Sequence, residues 1–365
     1  MGTKGRIAIL TGGGDCPGIN AVIRAVVKQA ILEYQYEVIG IEDGYLGTIR
    51  NCYHKLQYKD VSGIITQGGT ILGTSNTANP YRYAVKKNGQ MAFEDVSQTV
   101  IQNIKRLEID CLVCIGGDGT LSIANSLYKD GVPVVGVPKT IDNDLIGTDV
   151  TFGFDSAVYV ATEGIDRLHT TAQSHHRVMV IEVMGRNAGW IALYSGVAGG
   201  GDIILIPEIP YDINVVAEKV KERNRSGKRF SIVVVSEGAR AKNGDTVVRR
   251  IVKESTDPIR YGGVGMVLGA QIEEMTGIET RTVVLGHLQR GGTPTPYDRV
   301  LATRLGSRAA DMVYGERYGY MVGIKSNSLT EIPLEEVAKG QRTVPLDDPL
   351  IKTARSIGTS FGDEK

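Results

Sequence analysis

Three short strings in this chain carry residue types suited to phosphate chemistry. Gly12-Gly13-Gly14-Asp15 offers backbone N–H groups at a predicted strand-to-helix turn, where glycine lets an anion approach the main chain and a helix N-terminus adds positive potential. It is not a G-x-x-x-x-G-K-[ST] loop, which disfavours the common NTPase fold. Gly116-Gly117-Asp118-Gly119-Thr120 pairs a second such loop with a carboxylate, suiting a Mg²⁺ ion that neutralises phosphate charge while loop amides hold the oxygens. In Lys139-Thr140-Ile141-Asp142-Asn143-Asp144 an extended backbone puts Asp142 and Asp144 on one side. Two carboxylates so placed can divide labour, one accepting a hydroxyl proton as general base while the other orients metal-bound water or that base. An ordinary aspartate is a weak base, yet a loose phosphoryl-transfer transition state needs the proton removed late, so position outweighs basicity. Cations follow in Arg177, Arg186, Arg281, His287 and Arg290, which fall near predicted strand ends; Arg suits bidentate phosphate recognition. Each feature has a plainer alternative: a tight turn for the glycines, a helix cap for Asp118, an Asx-turn for Asp142 to Asp144, and a core position for His287.

The elements that must position these residues are legible as alternating strands and helices. Ile7 to Leu10 reads as a strand and Ile19 to Tyr34 as a helix with apolar periodicity. Val96 to Leu107 has one apolar face and leads into Cys111 to Ile115; Thr120 to Tyr128 is the next helix, and Val132 to Val137 the next strand, with Pro133 tolerable only near its start. Both strands are short, apolar runs rich in β-branched residues, as fully buried parallel strands are. The alternation restarts with helix Ser156 to Thr171, strand Arg177 to Val183, helix Ala188 to Val197, strand Ile203 to Ile206, helix Val215 to Asn224 and strand Phe230 to Ser236. Such alternation means mostly parallel sheets with helices on both faces, and ligands bound beyond the carboxyl ends of the strands. Gly238 to Gly262 reads as a charged insertion, and the polar tail from Lys339 as a segment draped over the surface.

A length of 365 residues allows two lobes, since single cores stop growing at roughly 250 to 300 residues. Lys plus Arg and Asp plus Glu are equal at 41 each, so no global field recruits nucleic acid or an anionic membrane and an anion must be gripped locally. No apolar stretch approaches a membrane span, and no secretory core opens the chain, which predicts a cytoplasmic protein. The 4 cysteines are too scattered for a disulfide framework. Cys111 and Cys114, three apart on a strand, point to opposite faces and cannot chelate one metal.

Taken in order, these strings resemble the 6-phosphofructokinases over almost the whole chain. The resemblance is carried by Leu10-Thr11-Gly12-Gly13-Gly14-Asp15 with Pro17-Gly18-Ile19-Asn20, the two later loops, Val183-Met184-Gly185-Arg186, Ser236-Glu237 and Gly286-His287-Leu288-Gln289-Arg290-Gly291-Gly292. It implies two Rossmann-like α/β/α lobes with the active site in the cleft between them. The donor lobe would be residues 1–153, completed by about 289–340; the sugar-phosphate lobe 154–288; and the tail 341–365.

The implied reaction is Mg²⁺-dependent phosphorylation of the 1-hydroxyl of fructose 6-phosphate. Asp142 matches the catalytic base and Asp118 the metal carboxylate, with Asp144 beside it. Arg186, Thr140 and the Gly14 amide would contact the transferred group, and Gly117, Asp118, Gly119 and Thr120 would bind the donor. Met184, Gly185, Glu237, His287 and Arg290 match residues holding the sugar phosphate. Arg177 and Arg281 match arginines reaching it from a neighbouring subunit, which implies a homotetramer built as a dimer of dimers. Gly119 leaves room for ATP, whereas Lys139 occurs in pyrophosphate users; ATP is the expected donor and pyrophosphate the alternative. Asn76 replaces an Arg of the short bacterial enzymes, with Arg82 as its candidate substitute. That departure leaves open a more remote alternative, an inactive sugar-phosphate or nucleotide sensor.

Overall fold

The computed structural model describes residues 3–87, 90–242, 244, 248–251 and 259–364. Its larger sheet has seven strands in the order Ser328–Pro333, Tyr320–Lys325, Val134–Pro138, Cys111–Gly116, Arg6–Thr11, Glu37–Ile41, Tyr53–Leu56. The five inner strands are parallel and the two edge strands antiparallel. Side-chain alternation divides each inner strand between two cores. Ile7, Ile9, Val113 and Ile115 face one side, packed beneath helices Ile19–Leu32 and Pro296–Tyr314. Ala8, Leu10, Leu112 and Cys114 face the other, beneath Ser97–Arg106 and Asp118–Lys129. Cys111 and Cys114 therefore lie in different cores, as their spacing requires. Pro133 precedes its strand, and its carbonyl still accepts from Leu112 N at 2.9 Å.

The smaller sheet has four parallel strands in the order Thr280–Val284, Val178–Val183, Ser231–Ser236, Ile203–Leu205. Val178–Val183 and Ser231–Ser236 are buried along their whole length, so both faces need cover. Helices Phe154–His175 and Trp190–Ala198 cover one face, Ile213–Arg225 and Val264–Thr276 the other. The inner core is continuous with that of the larger sheet. Phe154, Ala157, Ala161 and Ile165 of the long helix join Phe152 and the Ile19–Leu32 side chains in one apolar cluster. Each fully buried Ile, Leu or Phe contributes about 1.5–3 kcal/mol relative to exposure, so this shared core resists separation of the two sheets.

Predicted and observed elements agree in type and order. Elements not predicted include the edge strands Tyr53–Leu56 and Ser328–Pro333, each paired antiparallel with a strand that shortly precedes it in sequence, and the hairpin Tyr83–Lys87 with Gln90–Glu94. Part of the Gly238 to Gly262 insertion lies outside the described residues; Val248–Ile251 and Ile259–Tyr261 pair antiparallel within it. The tail is a correction. Val344, Ile351, Ala354 and Phe361 are buried, and Ser360 bridges to the strand end at Ile203, so the segment packs into the molecule instead of draping over it. Its few apolar residues are widely spaced among charges, which masked their shared face. Among the described residues, no helix is long and apolar enough to cross a membrane.

Candidate active site

Loops at the carboxyl ends of strands from both sheets line one cleft of about 1330 Å³. On the larger sheet, helix Asp118–Lys129 begins directly after strand Cys111–Gly116, with Gly117 in the cap position and no side-chain capping bond. Its first residues line the cleft, and the free amides of a helix start are chemically suited to an anion. Thr120 is wedged between the loops; a Cβ at Gly12 would meet its Oγ1 at 2.6 Å, so glycine is required there. A Cβ at Gly119 meets nothing within 4 Å, so the helix start is open at that position. The first glycine loop is less free than its sequence suggests. Gly12 N donates to Ile115 O at 2.9 Å and Gly13 N to Ser75 O at 3.2 Å, so an anion role in that loop falls on Gly14.

The loop after Val134–Pro138 departs from the extended backbone expected of it. Asn143 has φ 52°, in the left-handed region, and its Oδ1 accepts from Thr151 N at 3.0 Å. Strand alternation therefore does not apply, yet Asp142 and Asp144 both line the cleft, brought there by a turn. Thr140 Oγ1 accepts from Asp142 N and donates to Asp144 Oδ1, each at 3.1 Å. Asp142 Oδ1 is buried without a hydrogen bond among the described residues. Burial raises the Asp142 carboxyl above its ordinary value, opposed by Arg290, Lys139 and Arg186 and assisted by Asp118. Burial, then the charges of Asp142 and Asp118, raise Asp144 to about 7. Desolvation lowers the buried Lys139 amine, whose Nζ donates to Gly14 O.

The smaller sheet supplies the opposite wall. Gly185 takes φ 131°, and Ser236 Oγ donates to its carbonyl at 2.5 Å, fixing the turn that carries Met184 and Arg186 into the cleft. Glu237 follows Ser231–Ser236; burial, then Asp142 and Glu182, raise its carboxyl to about 7. Arg290 NH1 donates to Asp15 O at 3.1 Å, and a Cβ at Gly14 would meet that nitrogen at 2.7 Å. His287 is exposed on the cleft wall and is not a core histidine.

Arg177 and Arg281 are not in this cleft. They stand at the amino ends of their strands, both paired with Glu279, Arg177 at 2.6 Å. Arg82, the candidate substitute for the cation absent at Asn76, lies 4.3 Å over the Phe93 ring and does not line the cleft, whereas Asn76 does. Gln341 and Asn187 are among the cleft residues that had no signal in the sequence. Gln341, from the polar tail, donates to Asp118 Oδ2 at 2.7 Å and accepts from Asn187 Nδ2 at 2.7 Å.

Three buried or cleft-facing aspartates, one with a bare oxygen, suit a hard divalent cation. Among the described residues no three ligating side chains converge tightly enough to cage one.

The family model described as phosphofructokinase matches residues 6–313. The chain is 54% identical over 360 residues to ATP-dependent 6-phosphofructokinase 2 of Clostridium perfringens, covering 98% of each chain. It is 48% identical over 358 residues to the pyrophosphate–fructose 6-phosphate 1-phosphotransferase of Streptomyces coelicolor, covering 98% of this chain and 100% of that one. Phosphofructokinase from Pichia pastoris in the T-state superposes with a TM-score of 0.79 at 32% identity, over 93% of this chain and 36% of that longer one.

Proposed function

The chain belongs to the phosphofructokinase family, and from that premise we propose that it transfers the γ-phosphoryl group of ATP to the 1-hydroxyl of fructose 6-phosphate. The observation that carries this reading is the position of Asp142. Its bare, buried Oδ1 lies in one cleft with the open helix start at Gly119 and with the cations Arg186 and Arg290.

Asp142 accepts the hydroxyl proton. Burial strengthens it as a base, while Arg290, Lys139 and Arg186 keep the anion accessible. Arg186, Thr140 and the Gly14 amide steady the transferred group, and Gly117, Asp118, Gly119 and Thr120 seat the donor phosphates on the helix N-terminus. Asp118, with Asp144 beside it, would hold Mg²⁺, which when bound neutralises charge on the phosphates. Met184, Gly185, Glu237, His287 and Arg290 hold the sugar phosphate. In this reading residues 1–153 with about 289–340 form the donor lobe and 154–288 the sugar lobe. Arg177 and Arg281, which do not line their own cleft, serve a neighbouring subunit's phosphate in a homotetramer.

Lys139 favours a second reading in which pyrophosphate is the donor. Its amine lies against Gly14 O, beside the proposed phosphoryl position, and the Streptomyces coelicolor relative carries the pyrophosphate name. Gly119 favours ATP, because the space before it admits a nucleotide's α-phosphate.

Asp142→Ser tests the assignment. Turnover to fructose 1,6-bisphosphate is expected to fall by about 10²–10⁴-fold, the range for a general base, with fructose 6-phosphate binding retained. Undiminished turnover contradicts the role.

A further inference from the structure

Asp118 is the first residue of its helix, behind Gly117, which occupies the cap position and has no side chain with which to cap it. The group that engages the Asp118 carboxylate comes from 223 residues away: Gln341 Nε2 donates to Asp118 Oδ2 at 2.7 Å. The other end of the same carboxamide accepts from Asn187 Nδ2 at 2.7 Å, and Asn187 adjoins Arg186. A carboxamide suits this place because one end must donate to an anion and the other must accept from an amide; neither Glu nor Met can do both.

The backbone around Gln341 is anchored on both sides of the cleft. Gln341 bridges antiparallel to Leu145, Arg342 N donates to Asp144 O at 2.7 Å, and Arg342 NH1 donates to Thr148 O at 2.7 Å. On the smaller-sheet side, Trp190 Nε1 donates to Arg342 O at 3.1 Å and the Arg342 guanidinium lies 4.4 Å over the Trp190 ring. Glu208 accepts from both Gly189 N at 3.0 Å and Val344 N at 2.8 Å. A side chain presented by a segment tied this firmly loses little entropy in making its bonds.

We propose that Gln341 is a positioning residue that orients the Asp118 carboxylate and couples it, through Asn187, to the loop carrying Arg186. The role rests on the reading of Asp118 as the donor-side metal carboxylate. The tail segment thereby links the group that serves the donor to the group that serves the transferred phosphoryl.

The test is Gln341→Met, which keeps the length of the side chain and removes both hydrogen bonds. Its kcat is expected to fall about tenfold and the half-saturating Mg²⁺ concentration to rise about tenfold, the scale of one lost charge-assisted hydrogen bond. The KM for fructose 6-phosphate stays within about twofold, and calorimetric affinity for Mg²⁺·ADP drops by a similar factor of about ten. Asn187→Ala acts in the same direction, and the double variant is no worse than Gln341→Met, since the two act in one chain of contacts. A lower melting temperature with kcat, Mg²⁺ requirement and Mg²⁺·ADP affinity all within about twofold of wild type overturns the proposal and leaves a structural strap. Wild-type protein without phosphoryl transfer overturns the kinase reading itself, while the Mg²⁺·ADP titration still decides the role of Gln341.

Discussion

The residue most informative about how this site is held is Glu237, a carboxylate kept near 7 where an ordinary glutamate titrates near 4.5. Burial is the main cause and the charges of Asp142 and Glu182 add to it. Because the folded form holds this proton more tightly, folding takes up a proton between about pH 4.5 and 7, and the stability this group provides at low pH is lost as pH rises through 7. Glu237→Gln is therefore expected to raise the melting temperature above wild type near pH 8 and to make little difference near pH 5. Equal shifts at both pH values would contradict the uncompensated charge. Asp144, also raised to about 7, has the same sign. The cleft thus holds two buried carboxylates whose ionisation counts against the fold at neutral pH. The types of these residues were readable in the sequence; their shifts were not, because they arise from burial and from groups remote along the chain, such as Arg290 facing Asp142.

At the scale of elements, the strand–loop–helix grammar was legible because fully buried parallel strands such as Cys111–Gly116 and Val178–Val183 form unbroken apolar runs. Geometry inside the loops was less so. Asp142 and Asp144 share the cleft as expected, but through a left-handed Asn143 braced by Thr151, a contact eight residues away that strand periodicity does not encode. Gly12 and Gly13 have the composition of anion-binding amides, but their N–H groups are taken by Ile115 O and Ser75 O. The helix at Asp118 makes a sharper forecast. Gly119→Asp adds a carboxylate in the first turn, where the helix dipole welcomes it, and in open space, so the fold keeps its melting temperature. ATP turnover is expected to drop at least about 100-fold, because the added charge stands at the proposed donor-phosphate site. Retained ATP turnover in a folded Gly119→Asp protein would mean that the donor does not sit on this helix.

For the molecule as a whole, the two α/β sheets and their facing loops followed from the restart of the alternation near Thr151. The return of the chain did not. Residues 339–344 cross beside the cleft and insert Gln341 between Asp118 and Asn187, and the helix Pro349–Ser356 buries Ile351 and Ala354 beyond them. Neither carries a motif, and their partners lie in loops far back in the sequence. Arg177 and Arg281, by contrast, stand out in the sequence and are absent from the cleft of their own chain, which is intelligible if the functional unit is an assembly. The central claim is that this cleft uses ATP to phosphorylate fructose 6-phosphate. It is tested most directly by giving the purified protein fructose 6-phosphate and Mg²⁺ with either ATP or pyrophosphate and measuring fructose 1,6-bisphosphate. The account predicts product with ATP at a kcat/KM at least about tenfold above that with pyrophosphate; product with pyrophosphate alone, or with neither donor, would contradict it.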